Sequence, residues 1–99
     1  MKKIKITEKL LELGFELKED YHQGEAYVFR TSRGGNRFIH DFAYYPDENQ
    51  FYINAYKSST RTITEEELLK DHNNLNTSAK EKWLEIKNEL KDFNFRVWN

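Results

Sequence analysis

Arg37-Phe38-Ile39-His40-Asp41-Phe42-Ala43-Tyr44-Tyr45-Pro46-Asp47-Glu48-Asn49-Gln50-Phe51-Tyr52-Ile53-Asn54-Ala55-Tyr56-Lys57 is the stretch that decides the fold. Side chains of a strand alternate between the faces of a sheet, so every second residue shares a side. Before the proline, Phe38, His40, Phe42 and Tyr44 fall on one face, opposite Arg37, Ile39, Asp41, Ala43 and Tyr45. After it, Phe51, Ile53 and Ala55 fall opposite Tyr52, Asn54 and Tyr56. Pro46-Asp47-Glu48-Asn49 has the composition of a tight turn, so the two stretches, Arg37 to Tyr45 and Phe51 to Lys57, read as antiparallel strands.

Toward the N-terminus, Ser32-Arg33-Gly34-Gly35-Asn36 reads as another hairpin turn, because Gly-Gly tolerates the positive φ of a two-residue loop. Glu25 to Thr31, with Tyr27, Val28 and Phe29, is the strand before it, which makes a three-stranded antiparallel meander. Phe15 and Leu17 alternate with Glu16 and Lys18 as at the start of a strand, and His22-Gln23-Gly24 breaks that pattern. Ile6, Leu10 and Leu13 fall on one face of a short helix, with Thr7 as its cap and Gly14 just past its end. The alternation of Ile4 and Ile6 favours extended chain before it.

Toward the C-terminus, Thr64-Glu65-Glu66-Glu67 is a capping box leading to Leu68 and Leu69, and predicts a short helix. Ser78-Ala79-Lys80-Glu81 is a second one. Ala79, Trp83, Ile86, Leu90 and Phe93 repeat at four, three, four and three, the apolar stripe of a long amphipathic helix. Lys and Glu cover its other side, with Glu85–Glu89 and Lys87–Lys91 as repulsive pairs. Phe93, Phe95 and Val97 alternate with Asn94 and Arg96, as in a last strand. The expectation is an α+β fold in two layers: short N-terminal helix, three-stranded antiparallel meander, short helix, long amphipathic C-terminal helix and a C-terminal strand, with helices on one sheet face.

Ninety-nine residues without a proline- or glycine-rich linker predict a single domain over 1–99. With no cysteine, neither a disulfide nor a thiolate metal site can staple it. Stability therefore rests on packing, and seven Phe, six Tyr and two Trp are the material. Sixteen basic residues against seventeen acidic give no bulk attraction to nucleic acid or an anionic membrane. The apolar runs are too short to span a bilayer. Met1-Lys2-Lys3-Ile4-Lys5-Ile6 is basic but is followed by no apolar stretch, so no secretory signal is expected and the cytoplasm is the expected compartment. Asn76-Thr77-Ser78 matches a glycosylation acceptor, which is read as chance without export.

Catalytic and metal-binding residues are expected to be absent, and with them any cofactor. His22, His40 and His72 lie at no ligand or dyad spacing, and His40 and Asp41, being neighbours on a strand, point to opposite faces. The acidic run Glu65 to Glu67 suits a helix N-terminus. Two surfaces remain. If helices cover one face, the other shows tyrosine to solvent. Tyr52 and Tyr56, with Tyr45 and Tyr27, are then candidates for binding a partner, since tyrosine offers rigid contact area at small entropic cost. Tyrosine is also simply a good strand residue, and an exposed sheet face can equally serve a homodimer. Arg30, Arg33 and Arg37 flank the Gly34-Gly35 turn with no acid between them, the one basic patch that could grip phosphates.

The run Glu8 to Arg30 resembles the start of HicA-type mRNA-interferase toxins. The shared features are a Leu-rich helix, Gly14-Phe15-Glu16-Leu17, then Gly24-Glu25-Ala26-Tyr27-Val28-Phe29-Arg30. The resemblance covers about a quarter of the chain and implies a double-stranded-RNA-binding-like α-β-β-β-α order. It also implies loss of the ribonuclease activity, because the position of the family's catalytic histidine holds Ala26 and His22 precedes the glycine. The Lys-, Asn- and Ile-rich, cysteine-free character looks like small accessory proteins of phages and mobile elements, some of which inhibit host systems such as CRISPR nucleases by masking a protein surface.

The sequence thus points to a non-catalytic interaction protein whose partner is a protein. A small RNA- or DNA-binding module built on Arg30, Arg33 and Arg37 is the alternative.

Overall fold

A computed structural model describes residues 4–21, 24–31, 39–56, 60–70 and 77–99. In chain order the elements are α1 (Ile6–Glu12), β1 (Glu16–Tyr21), β2 (Gly24–Arg30), β3 (Ile39–Tyr45), β4 (Gln50–Tyr56), β5 (Thr60–Ile63), α2 (Glu65–Lys70), α3 (Thr77–Glu89) and β6 (Arg96–Val97). The turn expected at Ser32 to Asn36 and the polar stretch from His72 lie outside the described residues.

This overturns the α+β fold class read from the sequence. The molecule is a mixed α/β protein dominated by a six-stranded sheet, not a three-stranded meander with a long C-terminal helix. The strands run β1-β2-β3-β4-β5 in space, each antiparallel to its neighbour, and β6 joins β4 in parallel. Because β5 pairs with Ile53 to Tyr56 and β6 with Gln50 and Phe51, the two short strands divide one edge of β4. Their brevity explains why they are hard to read. Thr60 to Ile63 carries one core-facing apolar residue and runs straight into the capping box of α2, so periodicity has nothing to work on.

The long helix is also corrected. α3 has 13 residues and stops at Glu89; Leu90 to Asp92 form a turn and Phe93 a bend. Among the stripe residues, Ala79, Trp83, Ile86 and Leu90 are buried and Phe93 packs partly against them. The stripe therefore outruns the helix: Leu90 and Phe93 reach the core from the turn, where Leu90 N–H still bonds back to Ile86. α3 begins at Thr77, one residue ahead of the expected Ser78 cap. α1 begins at Ile6, with Lys5 as a cap that makes no side-chain hydrogen bond, so Thr7 lies inside the helix and Ile6 is helical. The α2 capping box is reciprocal: Thr64 N–H donates to Glu67 Oε1 at 3.0 Å, and Glu67 N–H donates to Thr64 Oγ1 at 3.1 Å.

The three described helices pack on one sheet face. Leu10 of α1, Leu68 of α2 and Ala79, Trp83 and Ile86 of α3 meet Phe42, Tyr44, Phe51, Ile53 and Ile63. Phe51 is the hub, with rings of Phe15, Tyr44, Trp83 and Phe95 at 6.4, 4.8, 5.4 and 5.1 Å between centroids. Edge-on and tilted pairs of this kind add to plain area burial. The Trp83 indole N–H does not go unsatisfied: it donates to Glu65 Oε2 at 2.7 Å, and Lys87 Nζ reaches the same oxygen at 2.7 Å, which pins α2 to α3.

The chain end is stitched on through Asn49, which sits at φ 53°. Its Oδ1 accepts from Tyr44 OH at 2.5 Å, its Nδ2 donates to the Asn94 carbonyl at 3.0 Å, and its own carbonyl accepts from Arg96 N–H at 2.9 Å. Asparagine tolerates this left-handed turn better than most residues. No described helix is long and apolar enough to cross a membrane.

Candidate functional site

The face without helices is built in rows, because each residue stands opposite its register partner. Glu16, Val28, Ala43 and Tyr52 form one row across β1 to β4. Arg30, Asp41, Asn54 and Thr62 form the next, across β2 to β5. Tyr45, Gln50 and Arg96 form a third.

The middle row is polar and largely buried. Asp41 is 0% exposed and Asn54 8%. Asp41 is held by three donors: Arg30 Nε to Oδ1 at 2.9 Å, Arg30 Nη2 to Oδ2 at 3.2 Å, and Tyr21 OH to Oδ2 at 3.1 Å. Asn54 Oδ1 accepts from Thr62 Oγ1 at 2.8 Å. A buried carboxylate without such partners would be costly; a two-point guanidinium contact supplies both charge and direction. Beside this network a second, small core forms from Ala26, Val28, Ala43 and Tyr45, with Tyr21 and Tyr52 packed partly against it. The helix-free face is thus not a bare plane. Its centre is already shielded, and what reaches solvent lies along its margins.

The margin at the C-terminal end is aromatic. The rings of Tyr45 and Tyr52 meet edge to face at 5.3 Å and 84°, and Trp98 stacks on Tyr52 at 6.4 Å and 25°. The Trp98 backbone N–H donates to the Phe51 carbonyl at 2.9 Å. Tyr52 OH donates to Glu48 Oε1 at 2.8 Å. This bond, followed by burial and the negative charge of Glu48, holds the Tyr52 phenol above its ordinary range, against a smaller opposing pull from Arg96. Arg96 Nη2 donates to the Glu48 carbonyl at 2.6 Å, so the row ends in an exposed arginine beside two part-exposed rings.

The residues singled out in the sequence fall unevenly on this geometry. Tyr45 and Tyr52 are brought together, but Tyr45 is 5% exposed, so Tyr52 carries the accessible ring. Tyr27 lies on the other face and packs partly against the main core. The backbone of Tyr56 pairs with Ile39 and Thr60; its side chain lies outside the described residues. Arg30 is engaged by Asp41, and Arg33 and Arg37 lie outside the described residues. No acid lies between the three arginines in sequence, but Asp41, eleven positions from Arg30, is brought opposite it by hairpin pairing. His40 is buried, on the helix-covered side, away from Asp41. Ala26, where the HicA-like resemblance puts a catalytic histidine, is fully buried in the second core. Trp98 was missed, although its parity gave a signal: if Phe95 and Val97 face the core, Arg96 and Trp98 must face away.

Among the described residues, no cluster of His, Cys, Asp or Glu is placed to hold a metal ion. No protein-family model matches the chain, and no curated protein or solved structure gives a significant match.

Proposed function

We propose that this is a non-catalytic interaction protein that binds a protein partner along the aromatic margin of its helix-free sheet face. The observation that carries the reading is the Tyr45–Tyr52–Trp98 ring cluster beside the exposed Arg96. Two part-exposed aromatic rings and an arginine are the residue types that dominate binding energy at protein interfaces. The Tyr52 phenol is held by Glu48 and the Trp98 ring is stacked on Tyr52, so little rotamer freedom is lost on contact. Balanced charge and the pairing of Arg30 with Asp41 favour a protein over a nucleic acid as partner. Inhibition of a host system by masking a surface is one form such binding takes.

The test is comparative capture from a lysate of the native organism. Wild type, a Tyr52→Ala/Trp98→Ala variant and a control Leu84→Ala, on the exposed side of α3, serve as baits. A partner held by wild type and control, and lost by the double variant, supports the reading. A partner held equally by all three contradicts it.

A further inference from the structure

β1 is an edge of the sheet: among the described residues it pairs only with β2. Its register with β2 is regular over Glu16, Leu17 and Lys18 and becomes irregular before Tyr21. Leu17 is 42% exposed, one of four large apolar residues on the surface among the described residues. Charges commonly protect such an edge against pairing. Here their order has a further property.

Two copies joined edge to edge by antiparallel β1 strands are related by a two-fold axis normal to the sheet, which keeps the helices of both on the same side and pairs only residues of like parity. Any residue of β1 can lie on that axis; Glu16, Leu17 and Lys18 hold the regular pairing and Glu19 follows them. Centred on Glu16, the axis sets two glutamates face to face; centred on Glu19 it does the same, and the Lys18–Asp20 pairs it would form run into the irregular stretch before Tyr21. Centred on Lys18, it opposes Lys18 to Lys18 of the second copy and Glu16 to Asp20. Centred on Leu17, it pairs leucine with leucine and flanks them with Glu16–Lys18 pairs on both sides, within the regular stretch. Glu16 and Lys18 already associate within one chain at 3.1 Å, both partly exposed, so docking would join the two pairs into a four-charge cluster of alternating sign.

We propose that β1 is a self-association edge and that its occupant is a second copy of this chain, in the register centred on Leu17. The sheet then continues through the dimer, the exposed leucines cover each other, and both Tyr52–Trp98 margins lie on the same side of one surface. This surface is separate from the partner-binding margin and does not depend on it.

The test is sedimentation equilibrium of the full chain from roughly 10 μM to 1 mM, since association of a small interface shows by mass action. The wild type is expected to rise from 12.0 kDa toward twice that mass. Lys18→Glu is expected to remain a monomer throughout, and Glu16→Lys/Lys18→Glu, which restores opposite pairs, is expected to dimerise again. Far-UV circular dichroism confirms that each variant is folded. A wild type that stays at 12.0 kDa over the whole range overturns the proposal. So does a dimer that survives Lys18→Glu unchanged, or one that is lost on Trp98→Ala and therefore uses the aromatic margin instead.

Discussion

Arg30 and Asp41 stand directly opposite each other on β2 and β3, and the guanidinium grips the fully buried carboxylate at two points, 2.9 and 3.2 Å. The arginine side chain itself is 58% exposed. A charge-compensating group on the surface thus closes a carboxylate beneath it. Removing it leaves a buried charge with only Tyr21 as donor among the contacts described. Arg30→Ala is expected to destabilise the fold by about 2 kcal/mol, less than for a fully buried pair because water can enter the gap. Asp41→Asn, which removes the charge but keeps hydrogen-bonding atoms, should cost less. Urea unfolding of both variants checks the order; an Arg30→Ala protein as stable as wild type would mean that the contact is incidental.

Trp83 is fully buried against Phe42 and Phe51, with its indole N–H on Glu65. Trp83→Ala is expected to cost about 3–5 kcal/mol through the cavity it opens. Trp83→Phe keeps much of the packing and loses the hydrogen bond, at about 1–2 kcal/mol. For a domain of this size each kcal/mol moves Tm by roughly 4–8 °C, so differential scanning calorimetry separates the two variants readily.

Gly14 lies at φ +102°, and a Cβ there would meet Phe29 Cε2 at 3.2 Å. Gly14→Ala is expected to lower stability by about 1–2 kcal/mol, chiefly through backbone strain. Trimming the ring in a Phe29→Leu background isolates the steric part of that cost. If Gly14→Ala costs the same in thermal melts with and without Phe29, the steric contribution assigned to Phe29 is wrong.

Glu67 accepts from Thr64 N–H and from Arg61, and these two contacts, in that order, pull its carboxyl below the ordinary 4.5. A folded-state pKa lower than the unfolded one contributes stability that is complete above about 4.5 and is lost as pH falls through the depressed folded value. The stability advantage of wild type over Glu67→Gln should therefore hold from neutral pH down to that point and shrink below it. Melting curves at a series of pH values read this directly; an advantage that grows on acidification would contradict the assignment.

How far the sequence could be read depended on whether an element's residues carried its signal themselves. β3 and β4 were legible because seven residues of alternation lie on each side of a turn with proline, and α2 because Thr64 and Glu67 cap one another. β5 was not, since its place is set by β4: Thr62 is there to bond Asn54, a contact no local pattern announces. The length of α3 was overread because Leu90 and Phe93 keep the helical spacing after the helix has ended. At the candidate site, the face of Tyr52 followed from parity, but the burial of Tyr45 and the engagement of Arg30 are long-range facts. The outward parity of Trp98 was in the sequence, but its place on Tyr52 depends on β6 lying parallel against β4.

The most direct measurement is calorimetric titration of the captured partner with wild type, Trp98→Ala and Leu84→Ala, each at low and high salt. An interface anchored on Tyr52 and Trp98 predicts at least about a tenfold loss of affinity for Trp98→Ala, none for Leu84→Ala, and little change with salt. Full affinity in Trp98→Ala, or binding that collapses as salt rises, would contradict it.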